Sequence, residues 1–153
     1  MKKLPIVVLT VLLLTGYSYA QDAAKVEAAA PQAEDSFVLA DKLLAKIVLI
    51  YQNYFRGMFD MSIAADAPGR VDLVNQVDRD VNAGKVLELN YFINEAIFDA
   101  GQKTLAVTFK WEKRTQPKGA RAPVLSKGQG TFVFKKQANG DWLLYQVNGE
   151  NPL

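Results

Sequence analysis

The sequence predicts an α+β fold in which N-terminal helices pack on a curved, antiparallel, four-stranded sheet. Three observations predict it. Residues Thr104–Arg114 alternate strictly, with Leu105, Val107, Phe109 and Trp111 on one side and Thr104, Ala106, Thr108, Lys110 and Glu112 on the other. That is a strand with one face in a core and one in water. Residues 36–82 carry their apolar side chains at helical spacing instead, so a helical half can cover a sheet half. Finally, Asn139-Gly140 sits between two apolar runs, a strong hairpin signal.

The chain begins with a segment that does not belong to this domain. Lys2 and Lys3 precede an apolar run, Ile6–Leu14, and Ser18-Tyr19-Ala20 puts small residues at the −3 and −1 positions of a cleavage site. Residues 1–20 therefore read as a secretory signal peptide. The run is well short of the roughly 20 residues that span a bilayer, so no transmembrane segment is expected after cleavage, and no cysteine follows it for lipid attachment. The expected location is periplasmic or extracellular. Residues 21–35 are Ala-rich with Pro31 and have little to bury, which reads as a disordered linker. The domain proper is then residues 36–153.

Asp35 or Ser36 is a suitable N-cap, and the first helix is expected to run to about Met58. Leu43, Ile47, Ile50, Tyr51, Tyr54 and Met58 form its stripe, widened by Leu44, Val48, Phe55 and Phe59. A face that wide suits a helix lying in the hollow of a curved sheet. Pro68 opens a second helix, about Gly69–Asn82, that buries Leu73, Val74, Val77 and Val81 and ends at a left-handed Gly84. The first strand, about Val86–Phe98, turns Leu87, Leu89, Tyr91, Ile93 and Ile97 inward. A three-residue loop, Ala100–Gln102, then matches Ile97 to Leu105, Ile93 to Phe109 and Tyr91 to Trp111. After a polar loop at Thr115–Ser126 the third strand covers about Lys127–Lys136. A two-residue turn at Asn139-Gly140 sets Phe134 opposite Tyr145 and Phe132 opposite Val147 in the fourth, Trp142–Asn148.

Composition excludes several function classes. There is no histidine and no cysteine, hence no Ser-His or Cys-His nucleophile pair, no ordinary zinc site and no disulfide. No metal or other cofactor is implied. Without Lys2 and Lys3 the 18 basic residues become 16 and match the 16 acidic ones. Residues 21–84 carry 6 basic and 10 acidic side chains, and residues 85–153 carry 10 and 6. That asymmetry is far below the basic footprint of a nucleic-acid binder.

Glu95 is the candidate of most chemical interest. It lies on the otherwise apolar side of the first strand, between Ile93 and Ile97. A carboxylate inside a cone would have a raised pKa and could take a proton or hold a polar ligand atom. A bulge in this long strand would turn it outward instead. Tyr54, Tyr91, Trp111 and Tyr145 are the aromatic groups that could line a pocket with it, although the same residues suit a core. Lys110, Lys113, Arg114, Lys118, Arg121 and Lys127 form a basic hairpin that either meets an anionic surface or keeps a sheet edge soluble. Gly128-Gln129-Gly130 precedes a strand rather than a helix, so it marks a close backbone approach or a bend and not a phosphate loop.

The order of elements resembles the nuclear-transport-factor-like superfamily, also called SnoaL-like or cystatin-like rolls. The resemblance is carried by Tyr51-Gln-Asn-Tyr54-Phe55, Val77-Asp-Arg-Asp-Val81, Gly130-Thr-Phe-Val-Phe-Lys135, Gly140-Asp-Trp-Leu-Leu-Tyr145 and the closing Asn-Pro-Leu. It implies a conical roll, with the sheet wrapped round the first helix. It also implies a choice between isomerase-like or dehydratase-like enzymes and non-catalytic modules. These rolls often pair through the open sheet face, and the Phe92 and Phe98 side would permit a homodimer. With no catalytic set beyond Glu95 and a tyrosine, the expected function is an exported, non-catalytic binding module of the bacterial cell envelope. Its partner would be a small apolar ligand held in the cone, or an envelope protein. The alternative is a proton-transfer enzyme using Glu95 and a tyrosine.

Overall fold

The computed structural model describes residues 33–153. The signal-peptide reading and residues 21–32 of the linker lie outside them. Three helices, α1 (Ala33–Gln52), α2 (Arg56–Met61) and α3 (Arg70–Ala83), precede four strands, β1 (Gly84–Asp99), β2 (Thr104–Pro117), β3 (Val124–Lys136) and β4 (Trp142–Gly149). The strands form one antiparallel sheet in the order β1-β2-β3-β4. The helices pack on its concave side, the expected α+β conical roll.

Helix α1 lies in the hollow because one side of it is apolar for about three turns, from Ala40 to Tyr51. Ala40, Leu43, Leu44, Ile47, Ile50 and Tyr51 are all buried against Leu105, Val107, Phe109, Phe132 and Phe134 of the sheet. The helix stops at Gln52, not near Met58. Tyr54 takes a left-handed conformation with φ +48°. Around it Phe55 N–H donates to Ile50 O and Tyr54 N–H donates to Tyr51 O, both at 3.1 Å. Those paired bonds satisfy the last carbonyls of the helix. Glycine usually fills that place, and Tyr54 hides the stop. Tyr54, Phe55 and Met58 are consequently exposed rather than part of the buried stripe, and only Phe59 of that group returns to the core.

Helix α3 meets expectation along its length: Val77 is buried, Leu73, Val74 and Val81 are half-buried, and Asp72, Asn75, Gln76 and Arg79 are exposed. Gly84 after it is extended, with φ −173°, and is not a left-handed cap. A side chain is excluded there by its neighbour, since a Cβ would lie 2.6 Å from Gln116 O.

The sheet departs from simple alternation at two bulges in β1, between Val86 and Glu88 and between Ile93 and Glu95. The first turns Leu87 outward and Val86 inward. Between the bulges Tyr91 pairs with Trp111 and Ile93 with Phe109, as expected. Beyond the second, Ala96 and Phe98 face inward and Glu95 and Ile97 face outward, so Leu105 pairs with Phe98 and not with Ile97. The extra residue in β1 is matched by one more in the turn, which spans 100–103. Gln102 N–H donates to Asp99 Oδ1 at 3.0 Å there, and Lys103 is left-handed.

A similar shift occurs in the last hairpin. Phe132 pairs with Val147, but Phe134 pairs with Leu144 and not with Tyr145. The turn is wider than two residues: Gln137 N–H donates to Asp141 O at 2.7 Å, with Gly140 left-handed inside it. The free edge of β4 is covered by residues 62–64. Ala64 N–H donates to Leu144 O and Leu144 N–H to Ser62 O, at 2.8 and 2.9 Å, so β4 offers no open ladder to another chain at that point.

The C-terminal residues close one end of the cone. Pro152 and Leu153 are buried. Trp111 Nε1–H donates to Glu150 O at 3.1 Å, Glu150 N–H to Gln129 O at 3.1 Å, and Gln129 N–H to Glu150 Oε2 at 3.0 Å. This is the close approach that the two glycines of Gly128-Gln129-Gly130 serve. A Cβ on Gly130 would lie 2.6 Å from Glu150 O, and one on Gly128 would overlap Trp111 and the Glu150 carboxylate. Gly130→Ala is therefore expected to lift the tail and to cost about 1–3 kcal/mol in urea unfolding. Gly57→Ala, where nothing lies within 4 Å of the added carbon, should be neutral or stabilise by up to about 1 kcal/mol. Equal effects from the two substitutions would show that the tail does not seat on Gly130.

Candidate functional site

The residues named from sequence do not converge. Glu95 is exposed on the outer face, opposite Thr108, so the expected inward carboxylate is absent from the cone. The second β1 bulge is the cause, because it inverts the facing of every later residue of the strand. Tyr145 is shifted out of the core by the β3–β4 register change. Its ring lies under Lys135 Nζ, 4.6 Å from the centroid, and it borders a hollow of about 280 Å³ with Ile63, Leu73 and Gln76. Lys135 in turn pairs with Asp66 at 2.5 Å, and that contact holds the Asp66 carboxyl below the usual range. Tyr91 stands over Phe109, edge to face at 6.5 Å, and its O–H donates to Asp41 Oδ1 at 2.9 Å. Burial, then Asp41, pushes its hydroxyl up to about 12. Trp111 points inward as expected but serves the tail.

Only Tyr54 borders the largest hollow among those near the predicted residues. This groove, about 490 Å³, runs between the end of α1, the end of α3 and the β2–β3 hairpin. Its apolar walls are Tyr51, Tyr54, Val81, Val86, Pro117 and Ala120. The volume lies within the ~300–1,000 Å³ of small-molecule sites. Its walls are held from several sides. Tyr54 O–H donates to Asp78 Oδ1 at 2.8 Å, a contact that raises the Tyr54 hydroxyl above its ordinary value, and Arg56 pairs with the same carboxylate at 3.1 Å. Lys118 N–H donates to Ala83 O at 2.9 Å and ties the hairpin tip to α3.

Beside the groove lies a polar cluster that the sequence reading missed. Tyr51 O–H donates to Asp80 Oδ2, Lys113 Nζ pairs with the same oxygen at 3.1 Å, and Lys113 Nζ also donates to Tyr51 Oη at 3.2 Å. Lys113 is buried, and its ammonium stands 5.6 Å from the Tyr51 ring centroid. Burial first, and then Asp80, raises the Tyr51 hydroxyl far above its ordinary value. The cluster borders an open hollow of about 370 Å³ that also meets Gln76, Arg79 and Leu153. A signal for it was present. Lys113 has the same parity as Leu105, Val107, Phe109 and Trp111, so the alternation that defined β2 also turned this lysine inward. It does not belong to the exposed basic hairpin. Lys127 of that hairpin pairs with Glu112 at 2.6 Å.

Among the described residues no group of three or more His, Cys, Asp or Glu could hold a metal ion, and no helix is long and apolar enough to cross a membrane.

No family model matches the chain, and no curated protein matches it. Solved structures do. A conserved protein from Planctomyces limnophilus is similar at a TM-score of 0.64 and 12% identity, covering 76% of this chain and 99% of that one. A ketosteroid isomerase-like protein from Erwinia carotovora atroseptica is similar at 0.60 and 13%, covering 75% and 96%. A nuclear transport factor 2-like superfamily protein from Salmonella enterica is similar at 0.60 and 9%, covering 80% and 94%. Identities this low speak for the fold and not for a shared reaction. The helix in the hollow, the bulged four-stranded sheet and these likenesses together give the chain the nuclear-transport-factor-like cone fold.

Proposed function

We propose that this protein is an exported, non-catalytic binding module of the bacterial cell envelope that takes a small apolar or amphipathic ligand. The observation that carries the reading is the contrast between a packed cone and the open groove at its side. Phe109, Phe132, Phe134, Leu105 and Leu144 are buried between α1 and the sheet, where an interior reaction site would need space. The groove beside Tyr51 and Tyr54 has space and apolar walls. Export rests on Lys2, Lys3, the apolar run Ile6–Leu14 and the Ser18–Ala20 cleavage pattern. A second copy or an envelope protein would meet the outer sheet face at Phe92 and Ile97, which are 72% and 54% exposed. Phe98 no longer counts with them, since it packs against Trp142 at 6.0 Å.

Isothermal titration of the purified protein with 1-decanol, decanoate and decylamine tests the binding reading. At least one of these single-chain amphiphiles is expected to bind with one-to-one stoichiometry, and Ala120→Trp, which fills the groove from an exposed loop, should abolish it. If none of the three binds, the reading is wrong.

One observation favours a second reading, proton-transfer chemistry. It is the carboxylate of Asp80, held by Tyr51 and Lys113 beside an open hollow. Asp80, and not Glu95, would then be the base. Deuterium exchange into acetylacetone, accelerated by the parent protein and not by Asp80→Asn, would support this alternative; no acceleration by either would remove it.

A further inference from the structure

The groove is not electrically neutral. Lys85, at the start of β1, and Lys118, at the tip of the β2–β3 hairpin, both border it, and no Asp or Glu does. Both lysines are exposed, and neither pairs with an acidic group among the described residues. The nearest carboxylates on α3 are engaged elsewhere. Asp78 holds Arg56 and Tyr54, and Asp80 holds Lys113 and Tyr51. An apolar trough with two uncompensated cations at its rim complements an apolar chain that ends in a negative head.

We infer that the groove binds a single-chain amphipathic anion, a carboxylate on an apolar tail, with the tail along Tyr54, Val81 and Pro117 and the head at Lys85 and Lys118. The inference rests on the binding reading above and adds the ligand's chemical class to it. The positions of the two lysines support it structurally. Gly84 must stay free of a side chain for β1 to lie against Gln116 and Pro117, and the Lys118–Ala83 bond fixes the hairpin tip over the end of α3. Lys85 and Lys118 thus project from anchored backbone at the adjacent, paired ends of β1 and β2.

The test compares the three ten-carbon amphiphiles, which share a tail and differ in head charge. Decanoate should bind about fivefold tighter than 1-decanol, as two solvent-exposed charge contacts warrant, and decylamine should bind weakest. Lys85→Gln and Lys118→Gln should each weaken decanoate about two- to threefold and leave 1-decanol unchanged. Raising the ionic strength to about 1 M, where the screening length is roughly 3 Å, should bring decanoate and 1-decanol together. If 1-decanol binds as tightly as decanoate, the binding reading stands and the charge inference falls. The inference is also overturned if the protein sediments with phosphatidylglycerol vesicles through Lys85 and Lys118 but takes up no free decanoate. The two lysines would then serve a lipid surface and not one molecule in the groove.

Discussion

Phe109→Ala is expected to lower the free energy of unfolding by about 3–5 kcal/mol, the range for removing a fully buried phenylalanine. Phe109 is 2% exposed and sits at the middle of β2, in the core cluster it shares with the buried residues of α1. Its ring meets Phe132 edge to face at 4.8 Å and Tyr91 at 6.5 Å. Each such pair contributes about 0.5–1.5 kcal/mol beyond area burial. Neighbours on two sides are held by sheet pairing with β1 and β3, so the gap can close only in part. Against a typical total of about 5–15 kcal/mol, the variant should retain a cooperative transition at a Tm lowered by more than about 10 °C. Phe92→Ala removes the same ring from the neighbouring strand at 72% exposure and should change stability by less than about 0.5 kcal/mol. A larger loss from Phe92→Ala than from Phe109→Ala would mean that the inner and outer faces of the sheet have been exchanged.

That inner face was legible because β2 has no bulge. Its alternation runs unbroken from Leu105 to Lys113, and one hidden face with one wet face leaves no other registration. β1 was legible only between its two bulges, from Leu89 to Ile93. A bulge adds a residue without any mark in residue type, and the apolar pair Ile97-Phe98 fits either facing equally well. The choice is made in three dimensions, where Phe98 finds Trp142 and Leu105. Glu95 follows passively, turned out by its neighbours' packing. The end of α1 was hidden for a related reason. Its left-handed residue is Tyr54 and not glycine, a choice tolerated beside the Asp78 hydrogen bond, so the apolar spacing continues in the sequence to Met58 with no stop signal. The candidate groove is made by that stop. It lies where α1 ends early, and no periodicity in a single chain records the gap between three element ends.

Lys113→Met is expected to cost about 2–3 kcal/mol. The lysine side chain is 11% exposed, and its ammonium has two partners, Asp80 Oδ2 at 3.1 Å and Tyr51 Oη at 3.2 Å. Methionine matches the aliphatic stem, so little packing is lost. The loss is electrostatic: Asp80 keeps a negative charge beside the core with Tyr51 as its remaining partner. Removing one member of a fully buried pair costs about 3–5 kcal/mol. Asp80 is 30% exposed, and water reaching it lowers that figure. The second charge decides between this account and simple loss of packing. Lys113→Met with Asp80→Leu removes both desolvated ions together, and such replacements are often neutral or stabilising. The double variant should therefore recover most of the loss and lie within about 1 kcal/mol of the parent in urea unfolding. Tyr51→Phe, which leaves the ion pair intact, should cost about 1 kcal/mol. If the double variant is instead as unstable as the two single losses added, the three groups do not act as one cluster. If Lys113→Met alone is silent, its ammonium is solvated and β2 does not hold residue 113 inside the cone. Either result would also remove the base from the proton-transfer reading, because Asp80 would no longer be held in place by Lys113.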